Sequence, residues 1–385
     1  MVWIIVAGLA LILGGLVIAT ITPSIFPVQG SAESQQIDAL FRFMLAVGGS
    51  IFLLVQGVLV YSIIKFRAKP GERGDGPPMH GNATLEIVWT VIPAIIVFII
   101  VVYSVRVWDV TRSVKPNEQT VHSVGARYAW SFAYDIERDA LPADIAFDTL
   151  DPAVQEDFNE DGQVTFTSSQ LHTWVNQPVS VNMEAQDVNH AFWIPGMRVK
   201  QDVLVGRVTN VRFTPIEAGV YRIVCAELCG SGHGNMAGEV AADGSLVGAW
   251  MIVHPDEATF MREFFEPERN TVLFPPEDPV LRGRQILASG KYPCATCHIL
   301  TDLGWAGAIG PSMDGLASRT QRLAASGHPD MASYIHASIR HPGEYLVPGY
   351  NNLMPQFNDD PSESNYMPED ELDAIVAYLL TQTGN

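Results

Sequence analysis

The chain has 385 residues, 48% of them hydrophobic, and a formal net charge of −19. That length holds two soluble domains plus membrane segments, and the apolar fraction is high for a purely soluble protein. The acidity excludes nucleic acid, whose phosphates it repels, and suits a basic protein partner. All four cysteines fall in two close pairs, Cys225/Cys229 and Cys294/Cys297. None is left for a structural disulfide, so cysteine here points to metal and cofactor chemistry.

Val2 to Ile21 is an apolar run without Lys or Arg. Residues 1–32 read equally as a signal peptide, with small residues at Gly30 and Ala32, or as a retained membrane helix of roughly 20 residues. A second apolar segment, Phe43 to Ile64, is followed by Lys65, Arg67, Lys69 and Arg73, and a third runs from Ile87 to Val107. Both can span a bilayer, so 37–110 is expected to be a transmembrane hairpin with its basic loop in the cytoplasm and everything after Val107 outside. Pro93 is tolerated in lipid where neighbouring helices satisfy the freed backbone groups, which implies a membrane partner.

From 115 to 255 short alternating runs, among them Gln119 to Val124, Val179 to Met183, Val208 to Phe213 and Val220 to Val224, predict an all-β Greek-key sandwich or barrel. An acidic insertion from Arg138 to Leu171 contains Asp157-Phe-Asn159-Glu-Asp161-Gly162. It reads as the front half of a calcium loop, closed by Ser168 instead of a glutamate, or as a plain Asp-Gly hairpin turn. Residues 256–277 mix Pro, Glu and Arg and are expected to be a stiff, extended linker. Residues 278–385 form a third unit, with helices expected around Leu281 to Leu287 and Glu369 to Gln382.

Two motifs bear the chemistry. The first is Cys225-Ala-Glu-Leu-Cys229-Gly-Ser-Gly-His233-Gly-Asn-Met236, with His190 upstream. Thiolates, imidazoles and a thioether favour copper over magnesium or calcium; zinc is the alternative, but it has little use for Met236. The second, Cys294-Ala-Thr-Cys297-His298, is a c-type haem attachment signature, with no βαβ pattern to suggest a thioredoxin-like CxxC. The remaining histidines, His80, His122, His172, His254 and His328, are expected to be solvated or structural.

The first motif, together with Lys200-Gln-Asp202-Val, Gly206-Arg and Leu85-Glu86-Ile-Val-Trp89-Thr-Val-Ile-Pro93, resembles subunit II of cytochrome c oxidase over about Ile37 to Val253. The resemblance implies a cupredoxin barrel holding the dinuclear copper centre CuA. Cys225 and Cys229 would bridge the coppers, and His190, on a loop, and His233 would terminate them. Met236 and the Glu227 carbonyl would be weak axial ligands. It further implies a magnesium ion shared with the catalytic subunit through Glu227, and a proton-pathway entrance at Glu86. By itself Glu86 is simply an acid near a helix N-terminus, where the macrodipole favours one. In Arg127-Tyr128-Ala129-Trp130-Ser131-Phe132, Tyr128 falls where many members have the Trp that receives electrons, and Trp130 is the next aromatic; this departure weakens the case for docking a free cytochrome there.

The second motif, with Gly310-Pro311-Ser-Met-Asp-Gly315-Leu, looks like an all-α class I cytochrome c, its haem on Cys294, Cys297 and His298 and, by the family's Met-Pro loop, Met354. Rival sixth ligands are Met313, Met331, Met367, His336 and His341. The whole resembles a caa3-type fusion: a multi-pass protein of the cell membrane with both redox domains on the periplasmic side. It would take electrons from a donor cytochrome or an upstream reductase complex and pass them through haem c and CuA to subunit I, which reduces oxygen to water and pumps protons among other oxidase subunits and lipid. A CuA-bearing nitric oxide reductase subunit and a membrane-anchored electron carrier without a dedicated oxidase are the alternatives.

Overall fold

Capping and small residues set the helical part of the molecule. The computed structural model describes residues 2–22, 26–67, 71, 81–230, 232–240, 244, 246–307, 309–360 and 365–384; Lys69, Arg73 and His80 lie outside them. Residues 1–114 with 196–198 make one unit, and 115–195 with 199–385 another.

The first unit holds α1 (Val2–Ile21), α2 (Ala32–Lys65) and α3 (Ala83–Arg112). α1 and α2 meet at glycines: a Cβ on Gly15 would collide with Ser50 and the Ala46 carbonyl, and one on Gly49 would lie 3.0 Å from Ile18. Small residues allow such backbone approach between membrane helices. α2 begins well ahead of the apolar run at Phe43, because Ser31 and Ser34 cap each other reciprocally. Its polar start is tied down at buried Asp38, which accepts from Arg198 Nε at 2.9 Å and Gln29 Nε2 at 2.7 Å. The apolar stretches of α2 and α3 are unburied by protein, with Phe52 60% and Phe98 69% exposed, as lipid-facing helices require.

The second unit begins with β1 (Gln119–Ala126) and β2 (Ala129–Glu137), then α4 (Pro152–Glu156), β3 (Gln163–Ser168), β4 (Leu171–Trp174), β5 (Val179–Ala185), β6 (His190–Ile194) and β7 (Val199–Val203). It continues with β8 (Thr209–Phe213), β9 (Gly219–Arg222), β10 (Val224–Cys225), the short hairpin β11 (Glu239–Val240) and β12 (Leu246–Val247), and β13 (Trp250–His254). One sheet runs β3-β2-β1-β5-β8; two others run β10-β6-β7 and β4-β13-β9. β1 pairs with β5 and β4 with β13 in parallel, so sequence neighbours are separated across the sheets. Strict alternation in β2 turns Trp130, Phe132, Tyr134 and Ile136 inward. Trp130 and Phe132 meet Phe192 with ring centroids 5.3 and 6.3 Å apart. In the acidic insertion Asn159 turns its side-chain oxygen onto the Gln163 N–H at 2.9 Å, and Gly162 takes the positive φ of 74°. That is an Asx-type turn.

The expected extended linker is instead helical. Residues 257–273 form α5 (Glu257–Phe260), a π-turn over Met261–Phe265 and α6 (Glu266–Leu273), started by the Asp256 cap. Phe260 and Phe264, four apart, are buried against Trp174 and Tyr134. Burial of these rings outweighs Pro267, whose missing N–H falls just after the π-turn, where the ladder has already shifted.

Phe264 also stacks on His172 at 3.7 Å, and His172 Nδ1 lies 3.1 Å from His254 Nε2. Burial, helped by His254, pushes His172 from 6.5 down to about 3. The folded state therefore refuses a proton that the unfolded chain takes below 6.5, so stability is full above that pH and falls as pH drops toward 3. Urea unfolding at pH 5 should show a loss of about 2 kcal/mol relative to pH 7, and His172→Phe should abolish most of the difference. Equal pH dependence in the variant would contradict this assignment.

The last part contains α7 (Pro279–Ser289), α8 (Cys294–Cys297), the bridge β14 (Ile299–Leu300) with β15 (Trp305–Ala306), α9 (Thr320–Ser326), α10 (Met331–Arg340) and α11 (Glu369–Leu379). α7 and α11 cross at Gly283, where a Cβ would strike the Ala374 backbone. Lys291 pairs with Glu371 at 2.6 Å, and Tyr292 donates to the same carboxylate. Leu287, Leu300, Ile335, Phe357, Leu372 and Ile375 form the core beneath.

Candidate metal centre and adjoining cavity

His190 opens β6 rather than lying on the loop before it, and β10 pairs beside it, setting Cys225 opposite Phe192. The loop after β10 then returns through Cys229 to a 3-10 turn, His233–Met236. The ligand atoms of His190, Cys225 and Cys229, all buried, lie within 4.8 Å of one another. Cys225 Sγ is 3.9 Å from His190 Nδ1 and 3.2 Å from the Glu227 carbonyl; Cys229 Sγ is 3.4 Å from His233 Nδ1 and 3.5 Å from Met236 Sδ. All six named donors of the motif thus converge, while the Glu227 carboxylate is on an exposed residue.

The imidazole is aimed by a residue that the motif reading missed. Asp187 Oδ1 lies 3.0 Å from His190 Nε2, which fixes the Nε2–H tautomer and leaves Nδ1 toward the sulfurs. Asp187 is in turn held by the N–H of Arg127 at 2.8 Å and of Val188 at 2.7 Å. Burial opposes ionisation of this carboxyl, but the His190 hydrogen bond and the backbone donors keep it below the usual carboxylate range. Burial likewise opposes charge on His190, yet Asp187 and Cys225 raise it to about 9. Gly125 makes room, since a Cβ there would lie 2.9 Å from Trp130 and 3.2 Å from His190. Trp130 is 2% exposed and rests edge-on to His190 at 5.8 Å, so it packs the site from within.

Electrostatics argue for a cation at the centre. Burial and the neighbouring Cys225 sulfur push the Cys229 thiol up to about 12, whereas His190 pulls Cys225 down against its burial. A bound cation would favour both sulfurs as thiolates.

An open cavity lies in the last part of the chain, lined by Cys294, Cys297, His298, Met313, Met354 and Met367 among apolar neighbours. His298 Nδ1 donates to the Pro311 carbonyl at 2.7 Å, leaving Nε2 as the free lone pair. Burial lowers the His298 pKa, favouring neutral imidazole, and pushes Cys294 up to about 12. A Cβ on Gly310 would lie 2.7 Å from His298 Cε1, so only glycine leaves the ring in place. Met331, His336 and His341 do not line this cavity; His336 is paired with Glu369 at 2.7 Å.

The cavity and the metal cluster adjoin. A Cβ on Gly232, in the loop between Cys229 and His233, would touch Ile309 at 2.9 Å and the buried Tyr128 ring at 3.0 Å. Gln186 hydrogen-bonds Asn365 across the same boundary. Glu86 sits in the exposed first turn of α3, where its Oε1 accepts from the Asn82 N–H at 3.2 Å while Asn82 caps Leu85.

Apolar helices followed by a β-domain with a buried sulfur–imidazole cluster define a membrane-anchored protein built to hold a soft metal. Two family models match the chain: cytochrome C oxidase subunit II, transmembrane domain, over residues 19–107, and cytochrome C oxidase subunit II, periplasmic domain, over 119–242. Cytochrome c oxidase subunit 2 of Synechocystis sp. is 36% identical over 235 residues, 55% of this chain and 70% of its own. The Thermostichus vulcanus protein of the same name is 32% identical over 296 residues, 69% of this chain and 85% of its own. That of Alkalihalophilus pseudofirmus is 27% identical over 336 residues, 86% of this chain and 82% of its own. Among solved structures, the periplasmic domain of subunit II of cytochrome oxidase of Bradyrhizobium japonicum is similar at 20% identity, covering 42% of this chain and 99% of that one with a TM-score of 0.28.

The chain belongs to the cytochrome c oxidase subunit II family. It is a membrane-anchored protein with an extracellular domain, acts with subunit I of a haem–copper oxidase in electron transfer, and its periplasmic domain is of the copper-binding kind.

Proposed function

We propose that this chain is the electron-entry subunit of a terminal oxidase and carries two redox groups of its own, a copper pair in the barrel and a covalent haem in residues 278–385. The observation that supports this most is that the sulfur–imidazole cluster and a cavity lined by Cys294, Cys297, His298 and Met354 adjoin at Gly232 and Ile309. When bound, the two groups supply one-electron oxidation and reduction. Cys225, Cys229, His190 and His233 would hold the copper, with Met236 and the Glu227 carbonyl completing the donor set. Zinc would leave the buried Met236 sulfur without a purpose.

In the cavity Cys294 and Cys297 would attach the haem, and His298 and Met354 would hold its iron. Met313, Met354 and Met367 all line the cavity, and Met367 is 1% exposed within the core. Met354, in the Met-Pro loop that resembles the family's, is the thioether proposed as the ligand. Gly310→Ala should therefore twist His298 off Pro311 and cost about 1–3 kcal/mol. Thermal unfolding and the haem content per chain measure this; an unchanged His298 environment with full haem would contradict it.

Tethering the haem domain to the barrel replaces a diffusional encounter with a high local concentration. Tyr128 lies beneath Ile309 rather than open to a free cytochrome. The exposed Glu227 carboxylate would share magnesium with subunit I, and Glu86, besides accepting from the Asn82 N–H, would admit protons. Lys65 and Arg67 hold the α2–α3 loop in the cytoplasm, so both redox domains face the periplasm.

The purified complex should consume oxygen when supplied with a reduced cytochrome. Nitric oxide turnover with no oxygen uptake would replace this reading by that of a nitric oxide reductase subunit.

A further inference from the structure

Among the described residues the cavity has one lining residue that comes from the barrel: Arg127, at the tip of the turn between β1 and β2. Its backbone N–H donates to Asp187 Oδ2 at 2.8 Å and its Nε lies 3.4 Å from the same oxygen. Among the described residues its terminal nitrogens meet no acceptor at hydrogen-bonding distance, and the guanidinium is 42% exposed. Among the described residues the lining contains no Asp or Glu, and its charged members are Arg127 and Arg322. An apolar cavity with cations and no carboxylate at its wall is suited to a flat apolar ligand carrying carboxylates.

We propose that Arg127 completes the haem site from the barrel side, its terminal nitrogens pairing with a carboxylate of the tetrapyrrole while its Nε and backbone N–H hold Asp187. A planar guanidinium presents five donors in a fixed fork and can serve two carboxylates at once in a set geometry, which the rotatable donors of an ammonium do not fix. One residue thus joins the cavity to the group that orients His190, and registers the two domains against each other. Gln186, next to Asp187, reinforces this register through Asn365. The assignment rests on the haem reading above.

The test uses the full chain, matured with copper and haem, as wild type, Arg127→Gln, Arg127→Lys and Arg322→Gln. Covalent haem is counted first, by absorption of the denatured protein in alkaline pyridine; a wild type without haem removes both the reading and the proposal. With haem present, the midpoint potential is measured by equilibrium titration. A positive charge beside the haem favours its reduced form, so Arg127→Gln should shift the reduction equilibrium about tenfold toward the oxidised side, about 59 mV for one electron. Arg127→Lys should fall between wild type and Gln. A haem potential unchanged in both Arg127 variants, or moved only by Arg322→Gln, overturns the proposal and leaves the haem reading standing. A change confined to the copper signal overturns it too, since Arg127 would then serve Asp187 alone.

Discussion

Cys229→Ser should leave the barrel folded but unable to hold paired copper. Cys229 Sγ lies within reach of His233 Nδ1 and Met236 Sδ and close to the Cys225 sulfur, so it links both halves of the cluster. A serine hydroxyl is a hard oxygen that keeps its proton near neutrality, and it cannot bridge two soft metals. Metal analysis should show copper falling from about two ions per chain to about one or none, with electron delivery to subunit I slowed on the order of 100-fold or more. The substitution is nearly isosteric, and the core beneath, built on Phe132, Phe192 and Met183, is untouched. Thermal unfolding of the metal-free protein should therefore change little. A variant that retained two coppers and normal turnover would remove Cys229 from the cluster.

Met354→Ala should have the second largest effect. A thioether opposite histidine raises the potential of haem iron, and alanine leaves that position to water or to nothing. The midpoint potential should drop on the order of 100 mV or more, while attachment through Cys294 and Cys297 persists. Met313→Ala and Met367→Ala, in the same cavity, should leave the potential near the wild-type value; a large drop in either would move the ligand there.

Much of this was legible in the amino acids because metal and haem ligation demand particular residue types at short spacing. Cys225 through Met236 point to a soft-metal site before any fold is known, and Cys294 through His298 carry the spacing on which the haem proposal rests. The alternating runs that became β1, β5, β8 and β9 and the apolar lengths of α2 and α3 were equally plain, since they follow from periodicity alone. What escaped reading depends on contacts between distant segments. Asp187, three residues before His190, is chemically ordinary until β6 carries the imidazole back over it. Arg127 was only the residue ahead of the Tyr128 and Trp130 aromatics, and only the placement of the last domain brings it to the cavity. The helix at 257–273 did have a signal, an Asp256 cap followed by Phe260 and Phe264 four apart, but Pro267, Pro275 and Pro276 made the stretch look like a spacer. Serine capping at Ser31 and Ser34 was similarly overlooked ahead of the hydrophobic run that it starts.

The two redox groups are the centre of the account, and their stoichiometry is the direct measure. Elemental analysis of the full chain, purified after maturation with both metals available, should find about two copper ions and about one haem iron per polypeptide. Zinc in the barrel, a single copper, or iron absent from Cys294 and Cys297 would contradict it.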